Sequence, residues 1–321
     1  MINAEQVTVD PVEEVRPTDR VLISKYSDHN IIDSHELDKL SPELQGVVPS
    51  INKRGRQSQT LVNHGKFWRE AALRLEHEGF ELSPPVHIIR AGEWIDDSGK
   101  KHTIPAAEFR TLIAVAHPEL TGTVGGYRSQ RVYEVGSCCS KRKASSSLFK
   151  LITEICSNTL TIDVLLGELF KHKQSGNFGK DKYSFLAYSI EQGLSNLIAS
   201  DKVVDKLREI PMTSQQAYAA FLRMSEGSVD TEGKRSRSDA VNRAGSAKMA
   251  SEWNSYQTSK APEHAAFKDE RTAYGVLQAA TAVTNGHVGV RSAFESDKCD
   301  RDIITSIAWS LGQSSTQLVT V

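Results

Sequence analysis

The chain has 321 residues, of which 39% are hydrophobic and 25% charged, with a formal net charge of −1. That length can bury one large core or two modest ones, and no stretch approaches the ~18 consecutive apolar residues that a membrane span needs. A balance so near zero neither demands nor excludes a polyanionic partner, so the placement of charge carries the information.

The first twenty residues are polar and acidic, with Glu5, Asp10, Glu13 and Glu14, and read as a flexible arm. No basic start followed by an apolar run is visible there, so an intracellular, cytoplasmic chain is expected. In "SHELDKL", Ser34 is a possible N-cap, with Leu37 and Leu40 at helical spacing. "NHGKFWREAALRLEHEGF" predicts a helix with Phe67, Ala71 and Leu75 on one stripe and Gly79 at its end. "PPVHIIRAGEWI", "EFRTLIAVAHPEL" and "RVYEVGSCC" predict three strands, paired antiparallel because short turns can join them. Leu148, Leu151, Ile152 and Ile155 fall at i, i+3, i+4 and i+7, predicting a helix from Ser145 to about Asn158. Beyond it the chain reads as mainly helical, interrupted by a Gly- and Ser-rich stretch near 225–250.

The expected fold class is therefore α+β. A small antiparallel sheet packs with helices in residues 21–165, and a mainly helical domain follows in 166–321, with a mobile loop near 225–250.

Chemistry-bearing motifs are sparse. No phosphate-binding glycine loop and no nucleophile elbow occurs. The four cysteines, Cys138, Cys139, Cys156 and Cys299, make no CxxC pair, and the ten histidines are scattered singly. No cofactor, no metal and no catalytic residue is expected from these patterns.

Charge is uneven. Between Gly122 and Lys150, Arg128, Arg131, Lys141, Arg142, Lys143 and Lys150 stand against Glu134 alone. Lys141, Arg142 and Lys143 directly precede Ser145, Ser146 and Ser147 at the start of the predicted helix, where free N–H groups and hydroxyls suit an anion. Tyr127 beside Arg128 and Tyr133 near Arg131 add rings on which unpaired bases could stack. Lys53, Arg54 and Arg56 form a further basic loop. The expected ligand is nucleic acid, single-stranded DNA first, bound without catalysis by a homo-oligomer that anneals strands.

The motif order resembles the phage- and plasmid-like proteins grouped as domain of unknown function 932. The likeness runs through "VVPSI", "LEHEGFEL", Ser145 to Ser147, and the Cys156–Asn158–Leu160 element. It continues in "RTAYGVLQAATAVTN", through Thr272, Tyr274, Gly275, Ala279 and Thr281. Cys138–Cys139 and the Lys-Arg-Lys run replace that family's usual residues ahead of the serines. The resemblance implies a mobile-element protein and carries no activity with it. Two rival readings remain: an anti-defence protein that binds a host protein, and a nucleotide or small-molecule enzyme.

Overall fold

The computed structural model describes residues 30–39, 64–95, 101–138, 145–153, 158–161, 171–172, 184–226, 228–229, 235–236, 245–260, 267, 270–286 and 293–319. Its architecture is α+β: a nine-stranded antiparallel sheet, nearly all of it in the first half, is followed by a run of helices.

Two helices precede most of the sheet. Helix α1 (Ser34–Lys39) is closed by a reciprocal capping box. The Glu36 N–H donates to Asp33 Oδ1 at 2.7 Å, and the Asp33 N–H donates to Glu36 Oε2 at 3.0 Å. The cap is thus Asp33 rather than Ser34, whose hydroxyl is left to bond elsewhere. Helix α2 (His64–His77) forms as its periodicity predicts, burying Phe67, Ala71 and Leu75 on one stripe. It stops at Gly79, whose φ of +86° opens the left-handed region to the chain. The Phe80 N–H then reaches back to the Leu75 carbonyl, and the Gly79 N–H to that of Glu76.

The sheet is ordered β1 (Asn30–Ile32), β3 (Val86–Ile95), β4 (Lys101–Ala116), β6 (Tyr127–Cys138), β7 (Ser145–Thr153) and β8 (Asn158–Thr161). Three short strands lie off this path. β2 (Glu81–Leu82) pairs with β4, β5 (Thr123–Val124) with β6, and β9 (Lys171–His172) with β7. β4 starts earlier than its sequence suggests, since Lys101 to Ala107 extend the ribbon with β3 beyond the end of β6. The register slips there, from Arg90↔Glu108 to Gly92↔Ile104, so Pro105, Ala106 and Ala107 stand against Ala91 alone.

The predicted helix over Ser145 to Asn158 is corrected. Residues 145–153 form strand β7, paired with β6 from Gly136↔Ser146 to Ser129↔Thr153. Both faces of β7 are covered: Phe149 and Leu151 join the main core, while Leu148, Lys150 and Ile152 are buried on the other side. A strand apolar on both faces reads as a near-continuous hydrophobic run, and such a run also satisfies helical spacing.

Beyond the sheet come α3 (Ser184–Glu191), α4 (Gly193–Glu209), α5 (Ser214–Glu226), α6 (Ser246–Thr258), α7 (Ala273–Gly286), α8 (Ala293–Ser310) and α9 (Ser315–Val319). A two-residue ribbon, β10 (Ser228–Val229) with β11 (Arg235–Ser236), lies inside the Gly- and Ser-rich stretch. Thr272 starts α7 by accepting the Gly275 N–H on its hydroxyl at 3.2 Å. A Cβ at Gly275 would fall 2.2 Å from the Glu270 carbonyl oxygen, so the turn requires glycine.

One core spans the boundary expected near residue 165. Phe67, Leu75, Tyr133 and Phe149 from α2 and the sheet share it with Leu197, Phe221, Trp253, Leu277 and Ile307 from the helices. No helix among the described residues is long and apolar enough to cross a membrane.

Candidate functional site

The described residues among those expected to hold a polyanion are spread between buried and exposed positions. Arg128 and Cys138 stand at opposite ends of β6, and the Lys141–Lys143 run follows Cys138 in sequence. At ~3.3 Å per residue that separation is roughly 33 Å. Arg128 is exposed, beside the β5–β6 turn.

Arg131 is buried and committed. Its Nη2 donates to Asp201 Oδ2 of α4 at 2.5 Å, and its Nη1 donates to the Thr121 carbonyl at 2.5 Å. Lys150, counted with the basic excess, pairs at 2.5 Å with Glu134 Oε2, and Arg110 Nη1 pairs with Glu134 Oε1 at 3.0 Å. All three side chains are buried on one face of β4, β6 and β7. Burial alone would raise the Glu134 carboxyl, but Lys150 and Arg110 together hold it below the ordinary carboxylate range.

Neither tyrosine offers a ring to a base. Tyr133 is fully buried, packs edge-on against Phe149 at 4.7 Å, and shares a hydrogen bond with the Ser189 hydroxyl. Tyr127 is also buried. Its hydroxyl donates to Glu270 Oε2 at 2.7 Å, with the Arg208 guanidinium over its ring. Burial first, and then the bond to Glu270, push its phenol well above the usual tyrosine range. With Thr272 donating to Glu270 Oε1 and the Gly125 N–H donating to Asp205 Oδ1, these contacts fasten the β5–β6 hairpin onto α4 and the start of α7. Their work is joining sheet to helices.

The serines divide. Ser147 is buried and bonded to Ser189 Oγ at 3.0 Å, which removes it from any surface site. Ser145 and Ser146 open β7, where β9 pairs with them: Ser145 lies opposite His172 and Ser146 opposite Lys171. The expected helix N-terminus is absent at this place because the segment is strand. Lys141, Arg142 and Lys143, and likewise Lys53, Arg54 and Arg56, lie outside the described residues. By chain connection the first three join Cys138 of β6 to Ser145 of β7.

Sequence reasoning missed a second polar cluster altogether. Two histidines are buried on the opposite face of the sheet in an unbroken chain of hydrogen bonds. Ser34 Oγ lies 2.9 Å from His87 Nε2, and His87 Nδ1 lies 2.8 Å from Thr111 Oγ1. Thr111 Oγ1 also lies 2.8 Å from His64 Nε2, and His64 Nδ1 lies 2.9 Å from Ser137 Oγ. The chain crosses β3, β4 and β6 and ties α1 and α2 to them. Phe109 stacks on His64 at 5.4 Å and Trp68 tilts over His87 at 5.0 Å. Burial, reinforced by His87, lowers the His64 pKa to about 3. His87 is lowered to about 4 by burial and then by Arg69, against the opposing pull of Asp38 and Asp33. Both imidazoles are therefore neutral near pH 7. The available signal was weak: His87 lies within a continuous buried run, Val86 to Ile89, and a lone histidine there says nothing of its partners.

Among the described residues, no group of three or more His, Cys, Asp or Glu side chains is placed to hold a metal ion. No family model, no curated protein and no solved structure matches the chain.

Proposed function

We propose that this chain binds single-stranded nucleic acid at the end of the sheet where β7 begins. The observation that supports the reading is the pairing of Lys171 and His172 with Ser146 and Ser145, immediately after the Lys141–Arg142–Lys143 run. Lys171 thus pairs beside the start of β7, the strand that the Lys141–Arg142–Lys143 run precedes in sequence, and Lys173 follows it in sequence. The β3–β4 connection at the same end adds Lys100 and Lys101 but also Asp96 and Asp97, so the excess belongs to the other two segments. Lys171 beside the start of β7, with cations next to each strand in sequence, is the kind of basic footprint that suits phosphates. Arg128, Arg131, Tyr127, Tyr133 and Ser147 have no part in it. The reading keeps the mobile-element setting that the motif resemblance suggests, with strand annealing by an oligomer as the step served.

The test is fluorescence anisotropy of a labelled single-stranded oligonucleotide across a salt series. The logarithm of affinity should fall against that of salt with a slope of roughly −0.7 per phosphate contact. Changing Lys141, Arg142 and Lys143 together to Ala should reduce that slope by about 2. No binding at low salt, or an unaltered slope in the triple variant, would refute the reading.

A further inference from the structure

The chain of hydrogen bonds ending at Ser34 lies apart from the basic segments considered above. Its logic is set by Thr111. A threonine hydroxyl has one proton to give and lies 2.8 Å from an imidazole nitrogen on each side. When Thr111 donates to His64 Nε2, His87 must place its own proton on Nδ1 and donate it to Thr111. His87 Nε2 is then a bare lone pair, 2.9 Å from the Ser34 hydroxyl. His64, with its proton on Nδ1, donates to Ser137. The bonds then run in one direction from Ser34 to Ser137, and one tautomer fixes the other. The reverse order fits the same distances, and only the first leaves His87 able to accept from Ser34.

We propose that Ser34 is a nucleophile, His87 its general base, and Thr111 backed by His64 the positioning group that holds His87 in the accepting tautomer. This is the nucleophile–base–orienter arrangement of covalent catalysis, with a hydroxyl where a carboxylate more often stands. Ser34 is half-buried, whereas His87, Thr111, His64 and Ser137 are buried, so Ser34 is the least enclosed member of the chain. The capping box occupies Asp33 and Glu36 with each other and leaves the Ser34 hydroxyl to the histidine.

The substrate class is an uncharged ester. Asp33 and Glu36 put two carboxylates beside Ser34 in sequence, while Asp38 is paired with Arg69, a balance that disfavours a polyanion. Ile31, 41% exposed, offers apolar surface three residues away. As Ser34 Oγ bonds to the acyl carbon, its proton passes to His87 Nε2. The bond from that carbon to the leaving oxygen breaks as the imidazolium returns the proton to it. Water then attacks the acyl-serine by the same route and restores the hydroxyl.

The test is labelling of the full chain with a fluorophosphonate probe, located by peptide mass spectrometry. Ser34 should carry the adduct ahead of every other serine, and Ser34→Ala should abolish it. His87→Gln should slow labelling on the order of 100-fold. Thr111→Val should slow it while Thr111→Ser restores it, with folding followed by circular dichroism. The charged groups around His87 are Arg69 of α2 and Asp33 and Asp38 at α1, with His64 beyond Thr111. Because the base is already free at neutral pH, the labelling rate should be level from pH 6 to 8 and drop only as the pH nears the His87 value of about 4. A folded wild-type chain with no adduct at Ser34, or equal labelling of the Val and Ser variants at position 111, would overturn the assignment.

Discussion

Two buried polar clusters, one on each face of the central sheet, are built in opposite ways. On one, Ser34, His87, Thr111, His64 and Ser137 form a neutral chain in which every link is an ordinary hydrogen bond between uncharged groups. On the other, Arg110, Glu134 and Lys150 bring three formal charges together on β4, β6 and β7. Uncharged partners cost little to desolvate and share protons. Buried charges are costly to desolvate and hold only while each has its counterpart. The neutral chain is thus suited to moving a proton, and the charged cluster to fixing strand register.

The sharpest break in this comparison is Glu134→Gln, which leaves Arg110 and Lys150 buried without their carboxylate. Urea unfolding should show a loss of about 3–5 kcal/mol. Acid comes next and separates the faces by window. The folded His64 and His87 values of about 3 and 4 lie below the unfolded 6.5, so below pH 6.5 the unfolded chain binds more protons. Stability from this face is complete above 6.5, falls as pH drops, and levels off near the folded values, by up to ~1.4 kcal/mol per unit for each imidazole. The Glu134 carboxyl is held below its usual value, so its contribution persists to lower pH and goes only as the folded group titrates below 4.5. Unfolding midpoints measured from pH 7 to 3 should show the loss beginning between 7 and 5, and a variant with both histidines replaced should lose that early limb.

Thr111→Val removes the one hydroxyl both imidazoles share. It should cost about 1–3 kcal/mol by leaving buried nitrogens unpaired, with thermal melts as the measure. Smallest is Asp33→Ala, where loss of the α1 cap should cost about 1 kcal/mol and loosen Ser34 from His87. Its effect should show as faster hydrogen exchange in α1.

Much of the first half was legible. Helix α2 was readable because Phe67, Ala71 and Leu75 face one core while Lys66, Arg69 and Leu73 do not. The alternation of β6 was visible in Arg131, Tyr133 and Val135 against Val132 and Glu134. β7 escaped because burial on both faces erases alternation. The site was less legible than the fold. A count of cations cannot tell Arg131, which finds Asp201 seventy positions later, from a lysine facing solvent. Nor can it see a hydrogen-bond chain whose members come from residues 34, 64, 87, 111 and 137.

The slip in register beside Pro105 bears on how such molecules behave when crowded. Where β4 runs past the end of β6, its outer margin has no neighbouring strand among the described residues, a natural template for another chain to add itself. A proline lacks the amide hydrogen such an addition would use, and the three residues set against Ala91 buckle the margin out of line. The arm can therefore extend from the sheet at high concentration without seeding stacked sheets of its own kind.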